Sequence, residues 1–404
     1  METQGIPQQS ADKALGGFAE LGISAAVVEA LDRIGFHSPT PIQAAVIPSA
    51  LAGRDVIGLA ETGSGKTAAF SLPLLEQTEA TGRCTGLVVC PTREIALQTE
   101  RFLSGLVGLK GLRTACLIGG VKLPPQTEKL RAGVDLVIAT PGRLLDHQRR
   151  RNVSLAGVRS LILDEADHML DLGFLPQMQE ILDSVPDRDQ TLMFSATLPQ
   201  VIERLAKRVM NDPLRFDLLP TGRTAEGIEH RLYLVHEPDK KRCLLSLTHQ
   251  QEGSTLVFLR RKVDADWACR QLELEGESVA RLHSDRSQSQ RVAALNGFRE
   301  GKYRILVATD LAARGIDVPR CAHIINFDLP ATVEDYVHRS GRTARGTLKG
   351  VVSSIGTWKD KQMVRDIEAA LGEPLPRRVA KGVSPQEEPR STIRGRQRVR
   401  RRLM

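Results

Sequence analysis

The sequence predicts two α/β domains in tandem, each a parallel sheet covered by helices, joined by a short linker and followed by a disordered basic tail. Three observations predict this. Short apolar runs alternate with amphipathic, helix-like segments through both halves of the chain, the pattern of strand–helix layers. The runs are apolar throughout rather than at every second position, as strands buried on both faces require. Two stretches break the pattern, one punctuated by Pro and Gly and one rich in Pro and Arg.

Taken in order, residues 1–17 form a flexible N-terminus; METQGIPQQSADK has no apolar core of a signal peptide. The first domain is expected over 18–212, with strands at Asp55–Ala60, Leu87–Cys90, Leu136–Ala139, Leu161–Leu163 and Thr191–Phe194. Residues 213–228 contain Pro213, Pro220, Gly222 and Gly227 with poor apolar periodicity, which predicts the linker. The second domain is expected over 229–372, with strands at Thr255–Phe258, Val279–Leu282, Arg304–Ala308, His323–Phe327 and Val351–Ile355. Residues 373–404 are expected to be disordered.

The 404 residues carry a net charge of +8. Ten basic and three acidic residues lie in 373–404, so the tail holds seven of those charges and the body one. A basic tail favours a polyanion, nucleic acid ahead of an anionic membrane, over a merely solvated segment. The six cysteines include no C-x-x-C pair, which argues against zinc, and several sit in strand-like runs as buried thiols. No apolar stretch reaches membrane-spanning length. A soluble cytoplasmic monomer is the expectation.

Ala60-Glu-Thr-Gly-Ser-Gly-Lys-Thr67 follows one strand and opens a helix-like run. A glycine-containing loop there (Thr62, Gly63, Ser64, Gly65) aims backbone N–H groups and a helix dipole at phosphate oxygens. Lys66 is expected to reach the β/γ-phosphates and Thr67 to ligate Mg²⁺; Ala60 stands where the first glycine of the usual motif falls. Asp164-Glu-Ala-Asp167 ends another strand. Carboxylates at the carboxyl end of a parallel strand face the ligand crevice. Asp164 is expected to hold Mg²⁺ and Glu165 to orient and deprotonate a water. Phosphoryl transfer also needs positive charge on the developing anion, and His338-Arg-Ser-Gly-Arg-Thr-Ala-Arg345 offers Arg342 and Arg345, which by themselves also fit a basic surface helix.

With these fragments, Gly35–Gln43, Pro91–Glu94, Gly119-Gly120, Thr140–Arg143, Ser195-Ala-Thr197 and Ala308–Asp317 complete an ordered set. That set resembles the DEAD-box RNA helicases from about Phe18 to Ile355. The resemblance implies two RecA-like domains, ATP and Mg²⁺ as cofactors, and RNA as a partner bound with low sequence specificity, in a setting such as ribosome assembly or RNA decay. It implies that Phe18 stacks on adenine, Gln43 reads its edge and Asp317 meets the ribose. Arg93, Gly120, Thr140, Arg143 and Thr309 match positions that grip the RNA backbone. Ser195, Thr197, Asp310 and His338 match positions that couple hydrolysis to closure. Three departures stand out: Val257–Lys262 lacks the usual Thr/Ser, Ser284 replaces a glycine, and Ser340 and Ala344 replace Ile and Gly. The same motifs serve an ATP-gated RNA clamp without productive unwinding, and nothing bottom-up separates RNA from DNA.

Overall fold

A computed structural model describes residues 17–61, 63–218, 227–250, 252–313, 321–343 and 350–386. Seven strands form the first sheet: β1 (Val56–Leu59), β2 (Gly86–Val89), β3 (Thr114–Leu117), β4 (Leu136–Ala139), β5 (Ser160–Leu163), β6 (Gln190–Ser195) and β7 (Leu214–Asp217). Their order is β3-β4-β2-β5-β6-β1-β7, with every pairing parallel. Successive residues of a strand point to opposite faces, so an unbroken apolar run feeds two cores. Val56, Val88, Ile138, Ile162 and Leu192 join one apolar cluster; their neighbours Ile57, Leu87, Val137, Leu161 and Met193 join the other.

The second sheet contains β8 (Ile228–Leu234), β9 (Thr255–Leu259), β10 (Val279–Leu282), β11 (Ile305–Thr309), β12 (His323–Asn326) and β13 (Gly350–Gly356), ordered β10-β11-β9-β12-β13-β8. Two α/β domains on parallel sheets are therefore present, as the apolar runs predict.

The boundaries differ from the expectation in two places. Residues 214–217, expected in the linker, pair with β1 as the edge strand of the first sheet, and β8 begins at Ile228. Of the expected linker, 219–226 lie outside the described residues. The tail, expected to be disordered from 373, is packed as far as 386. Leu375, Ala380 and Val383 are buried, and the backbone of this segment bonds to β8 (Arg378 N to Leu232 O, 2.8 Å; Gln386 N to Leu234 O, 2.8 Å). The cause is the open edge of β8, whose unpaired backbone groups gain partners from any chain laid beside them. Residues 387–404 lie outside the described residues.

All six cysteines are free, and five of them are buried. Among the described residues no helix is long and apolar enough to cross a membrane.

Two buried histidines bond within the second domain: His230 Nδ1 lies 2.8 Å from Tyr336 Oη on the helix Val333–Ser340, and His323 Nε2 lies 2.8 Å from Ser353 Oγ of the adjacent strand. Burial lowers the pKa of His230 from 6.5 to about 4; burial, aided by Arg231 and Arg304, lowers that of His323 to about 3. Because the folded values lie below the unfolded one, folding favours the neutral rings. Their contribution is complete above pH 6.5 and is lost as pH falls below it. Each should cost the second domain about 1.4 kcal/mol per pH unit in that range. Trp267 and Trp358 both lie in the second domain, so tryptophan fluorescence in denaturant follows this domain. His323→Gln, which keeps a polar group toward Ser353, should remove about half of the acid dependence between pH 6.5 and 5. A wild-type stability that does not change over that interval would contradict the assignment.

Candidate functional site

The carboxyl ends of the first sheet's strands are level. Leu59 pairs with Ser195, and Ala60 N donates to Ser195 O (3.1 Å). On the other side Asp164 N donates to Val89 O (3.0 Å), Cys90 N to Ala139 O (2.9 Å) and Thr140 N to Leu117 O (3.0 Å). Every predicted motif of the first domain that follows a strand thus emerges along one edge, where ligands of open parallel sheets bind. The order β5-β6-β1 gathers the phosphate loop, the acidic quartet and Ser195–Thr197 at one end. The order β3-β4-β2 gathers Gly120, Thr140 and Arg93 at the other.

The loop after β1 turns into the helix Lys66–Gln77 through Gly65, at φ +100°. A side chain is strained in that conformation, and a Cβ there would collide with Gln43 Nε2. Gln43 is 1% exposed and locks the loop to the helix Pro41–Leu51: its Oε1 accepts from Thr40 N (2.9 Å) and its Nε2 donates to Gly65 O (3.0 Å). Lys66 is buried, with Nζ donating to Ala60 O (2.8 Å). Ser64 Oγ is buried without a partner among the described residues, a donor left available to phosphate oxygens. Gly63 lies in this turn and Thr67 in the first turn of the helix Lys66–Gln77, while Thr62 lies outside the described residues.

Asp164 and Glu165 are both buried. Burial and the Glu165 charge push the Asp164 carboxyl up to about 7, against the pull of Lys66. Burial also raises Glu165, but a hydrogen bond from His168 and the Lys66 charge more than reverse it, so Glu165 sits below the usual carboxylate range. The two carboxyls are therefore pushed apart, one readily neutralised and one held ionised. Asp164 Oδ1 is buried and has no hydrogen-bond partner among the described residues. An orphaned hard oxygen beside a phosphate loop fits Mg²⁺, which takes one or two carboxylates plus phosphate oxygens. Glu165 itself adopts φ +51°, ψ +56°, a left-handed conformation that costs a non-glycine residue about 1–2 kcal/mol. Such strain gathers at functional sites.

Asp167 has a role that sequence reasoning missed. Its Oδ2 accepts from Ala196 N (3.2 Å), Thr197 N (2.8 Å) and Thr197 Oγ1 (3.0 Å), and its N–H donates to Ser195 Oγ (3.1 Å). Burial opposes its charge, but Lys66 and the Ser195 and Thr197 hydroxyls hold its pKa below the usual range. The carboxylate thus clamps the loop after β6 to the acidic quartet.

At the other end, the Arg93 guanidinium lies over Gly119 and Gly120, where a Cβ on Gly120 would collide with it. Thr92 Oγ1 caps the helix Arg93–Ser104, and Thr140 with Pro141 opens the helix Pro141–Arg149. Both helix starts point N–H groups outward from the same edge. Arg143 donates to Val121 O through both terminal nitrogens, 3.1 Å each.

Phe18 is 2% exposed, within the apolar cluster that also holds Ile23, Val27 and Leu31.

In the second domain Thr309 ends β11 and is buried, with Asp310 opening the helix that follows. His338 lies in the helix Val333–Ser340, and Arg342 follows it, its carbonyl accepting from Cys321 N (3.1 Å). Asp317 and Arg345 lie outside the described residues. Arg339, which the sequence reading left without a role, is 3% exposed. It donates to Asn326 Oδ1 and Asp328 O (2.8 Å each) and stacks over Phe258 at 4.8 Å, binding its helix to the sheet.

Residues 40–205 match the family model of DEAD/DEAH box helicases, and 239–347 that of the helicase conserved C-terminal domain. The chain is 40% identical to the ATP-dependent RNA helicase DeaD of Buchnera aphidicola over 88% of its own length and 59% of that protein's. It is also 40% identical to the DEAD-box ATP-dependent RNA helicase CshA of Geobacillus kaustophilus, over 87% of this chain and 76% of CshA. Among solved structures it is similar to S. cerevisiae Dbp5 bound to RNA and ADP BeF3. The TM-score is 0.81 and the identity 28%, over 90% of this chain and 95% of that one.

Proposed function

The chain belongs to the DEAD-box family of ATP-dependent RNA helicases, and from that premise we propose that it hydrolyses ATP in response to RNA and uses the cycle to open short duplexes or remodel RNA–protein complexes. One observation carries the reading: the Lys66 loop, the Asp164–Glu165 carboxylates and the Ser195–Thr197 loop converge on one end of one sheet edge, joined by Gln43 and Asp167.

ATP enters with its phosphates on the loop 63–67 and Lys66 and its base toward Gln43, which exchanges its bond to Gly65 for the adenine edge. Asp164 and Thr67 would hold Mg²⁺, which would supply positive charge to the phosphate oxygens. Glu165, kept ionised, accepts a hydrogen bond from the attacking water and orients it. In a loose phosphoryl-transfer transition state, positioning counts for more than full deprotonation. RNA lies along Arg93, Gly120, Thr140 and Arg143, held by its phosphates and so with little sequence preference. Thr309 extends that contact in the second domain, where Asp310 and His338 couple and Asp317 meets the ribose. Arg342 and Arg345 supply positive charge to the transferring phosphoryl group. Asp167 ties the acidic quartet to Ser195 and Thr197, a route by which the state of the phosphates alters the affinity for RNA. Linkage then makes each ligand strengthen the other. The protein acts as a cytoplasmic monomer.

The test is the ATPase rate with no nucleic acid, with single-stranded RNA and with DNA of the same sequence, alongside strand displacement of a short RNA duplex. RNA raises the rate, DNA does not, and strands separate only with ATP. A protein that leaves ATP intact in the presence of RNA overturns the proposal, and hydrolysis without displacement identifies a clamp.

A further inference from the structure

Glu165 leaves a strained backbone position at the start of the short helix Ala166–Asp171, so the helix does not by itself fix where its carboxylate points. One turn on, His168 lies on the same face. Its ring is 4% exposed, and its Nδ1 is 3.2 Å from Glu165 Oε2. We propose that His168 is a positioning residue: it donates from Nδ1 to Glu165 Oε2 and so turns Oε1 toward the attacking water. This rests on the water-orienting role of Glu165 proposed above and adds to it the group that holds the carboxylate in place.

The chemistry of the contact fixes the tautomer. An ionised carboxylate only accepts, so Nδ1 carries the hydrogen. Nε2 is buried without a partner among the described residues. The ring, 4% exposed, therefore acts as a donor of fixed orientation. Without it the carboxylate rotates about χ3, a broad torsion with no strong minimum of its own. The loss falls on the chemical step, because ATP is bound by the loop 63–67 and RNA by the opposite end of the edge.

The test compares full-length His168→Phe and His168→Asn with the wild type, and repeats His168→Phe in a Glu165→Gln background. Phe fills the volume without a donor; the Asn amide places an N–H close to the position of Nδ1. His168→Phe is expected to lower the RNA-stimulated kcat about 10–100-fold, as a displaced reacting group does, with KM for ATP and RNA affinity in a non-hydrolysable ATP analogue within about twofold. His168→Asn is expected to recover kcat to within about threefold of wild type, and Phe is expected to add no further loss once Glu165 is Gln. The proposal is overturned if His168→Phe keeps wild-type kcat, if Asn is as impaired as Phe, which marks a packing role, or if the losses add in the double variant. A fully active Glu165→Gln would instead remove the role of Glu165 itself, a separate result from an inactive Glu165→Gln beside an active His168→Phe.

Discussion

Glu165→Gln is expected to lower the RNA-stimulated kcat about 10²–10⁴-fold, the range a positioned acid–base group contributes, while ATP-dependent RNA binding is kept. The structure supports both halves of this result. Glu165 is held ionised although buried, by the His168 hydrogen bond and the Lys66 charge, so the wild-type residue meets the water as a full acceptor. Gln retains one carbonyl oxygen but loses the charge, and it brings an N–H that competes for the same position. The parts that bind have anchors of their own: Gln43 bonds Gly65, Lys66 bonds Ala60 and shares only its charge with Glu165, and the Arg93 guanidinium lies over Gly120. Asp164 should also ionise more readily, since the Glu165 charge is, after burial, the largest cause that raises it. RNA affinity in ATP should therefore be equal to or tighter than wild type. The check is single-turnover hydrolysis beside RNA binding with ATP. Hydrolysis within about tenfold of wild type, or RNA binding lost together with hydrolysis, contradicts the assignment.

The central strands were legible because burial on both faces forces unbroken apolar runs, and β1, β2, β4, β5 and β6 show them. The edge strands were not. Thr114–Leu117 is buried only at Ala115 and Leu117. In Leu214–Asp217 only Phe216 is buried, Arg215 is half-buried and Asp217 is exposed, so neither strand has the composition of a covered one, and only the hydrogen bonds to the neighbouring strand make them strands. The packed segment 373–386 was hidden for the same reason, since Leu375, Ala380 and Val383 are too sparse to signal a core and the open edge of β8 orders them. In the site, the residue types announced the chemistry, but the meeting of Lys66 with Asp164 depends on the strand order β5-β6-β1, which no local spacing encodes. His168 was within reach, three residues after Glu165 on a helix, yet a lone histidine carries no motif.

Arg342→Ala is expected to lower kcat about 10³-fold or more, the lower bound for an arginine that stabilises the transferring phosphoryl group. Electrostatics of the first domain argue for such a group. Lys66 is buried beside Asp164, Glu165 and Asp167, and its charge already acts on all three. A lysine so engaged neutralises only part of the charge that spreads over the equatorial oxygens as the γ-phosphoryl group leaves. Mg²⁺ held as proposed would offset part of it, and a guanidinium is suited to the rest, because its planar fork bonds two phosphate oxygens at once and it is weakly hydrated. If the fork matters, Arg342→Lys should remain well below wild type although the charge is kept; if charge alone matters, Lys should restore turnover. ATP binding without RNA should be nearly unchanged in both variants, since the loop 63–67 that carries it lies in the first domain. Equilibrium nucleotide titration and RNA-stimulated turnover separate these outcomes. An Arg342→Ala protein that hydrolyses ATP within about tenfold of wild type would require Arg345, or a cation outside 338–345, to carry the stabilisation instead.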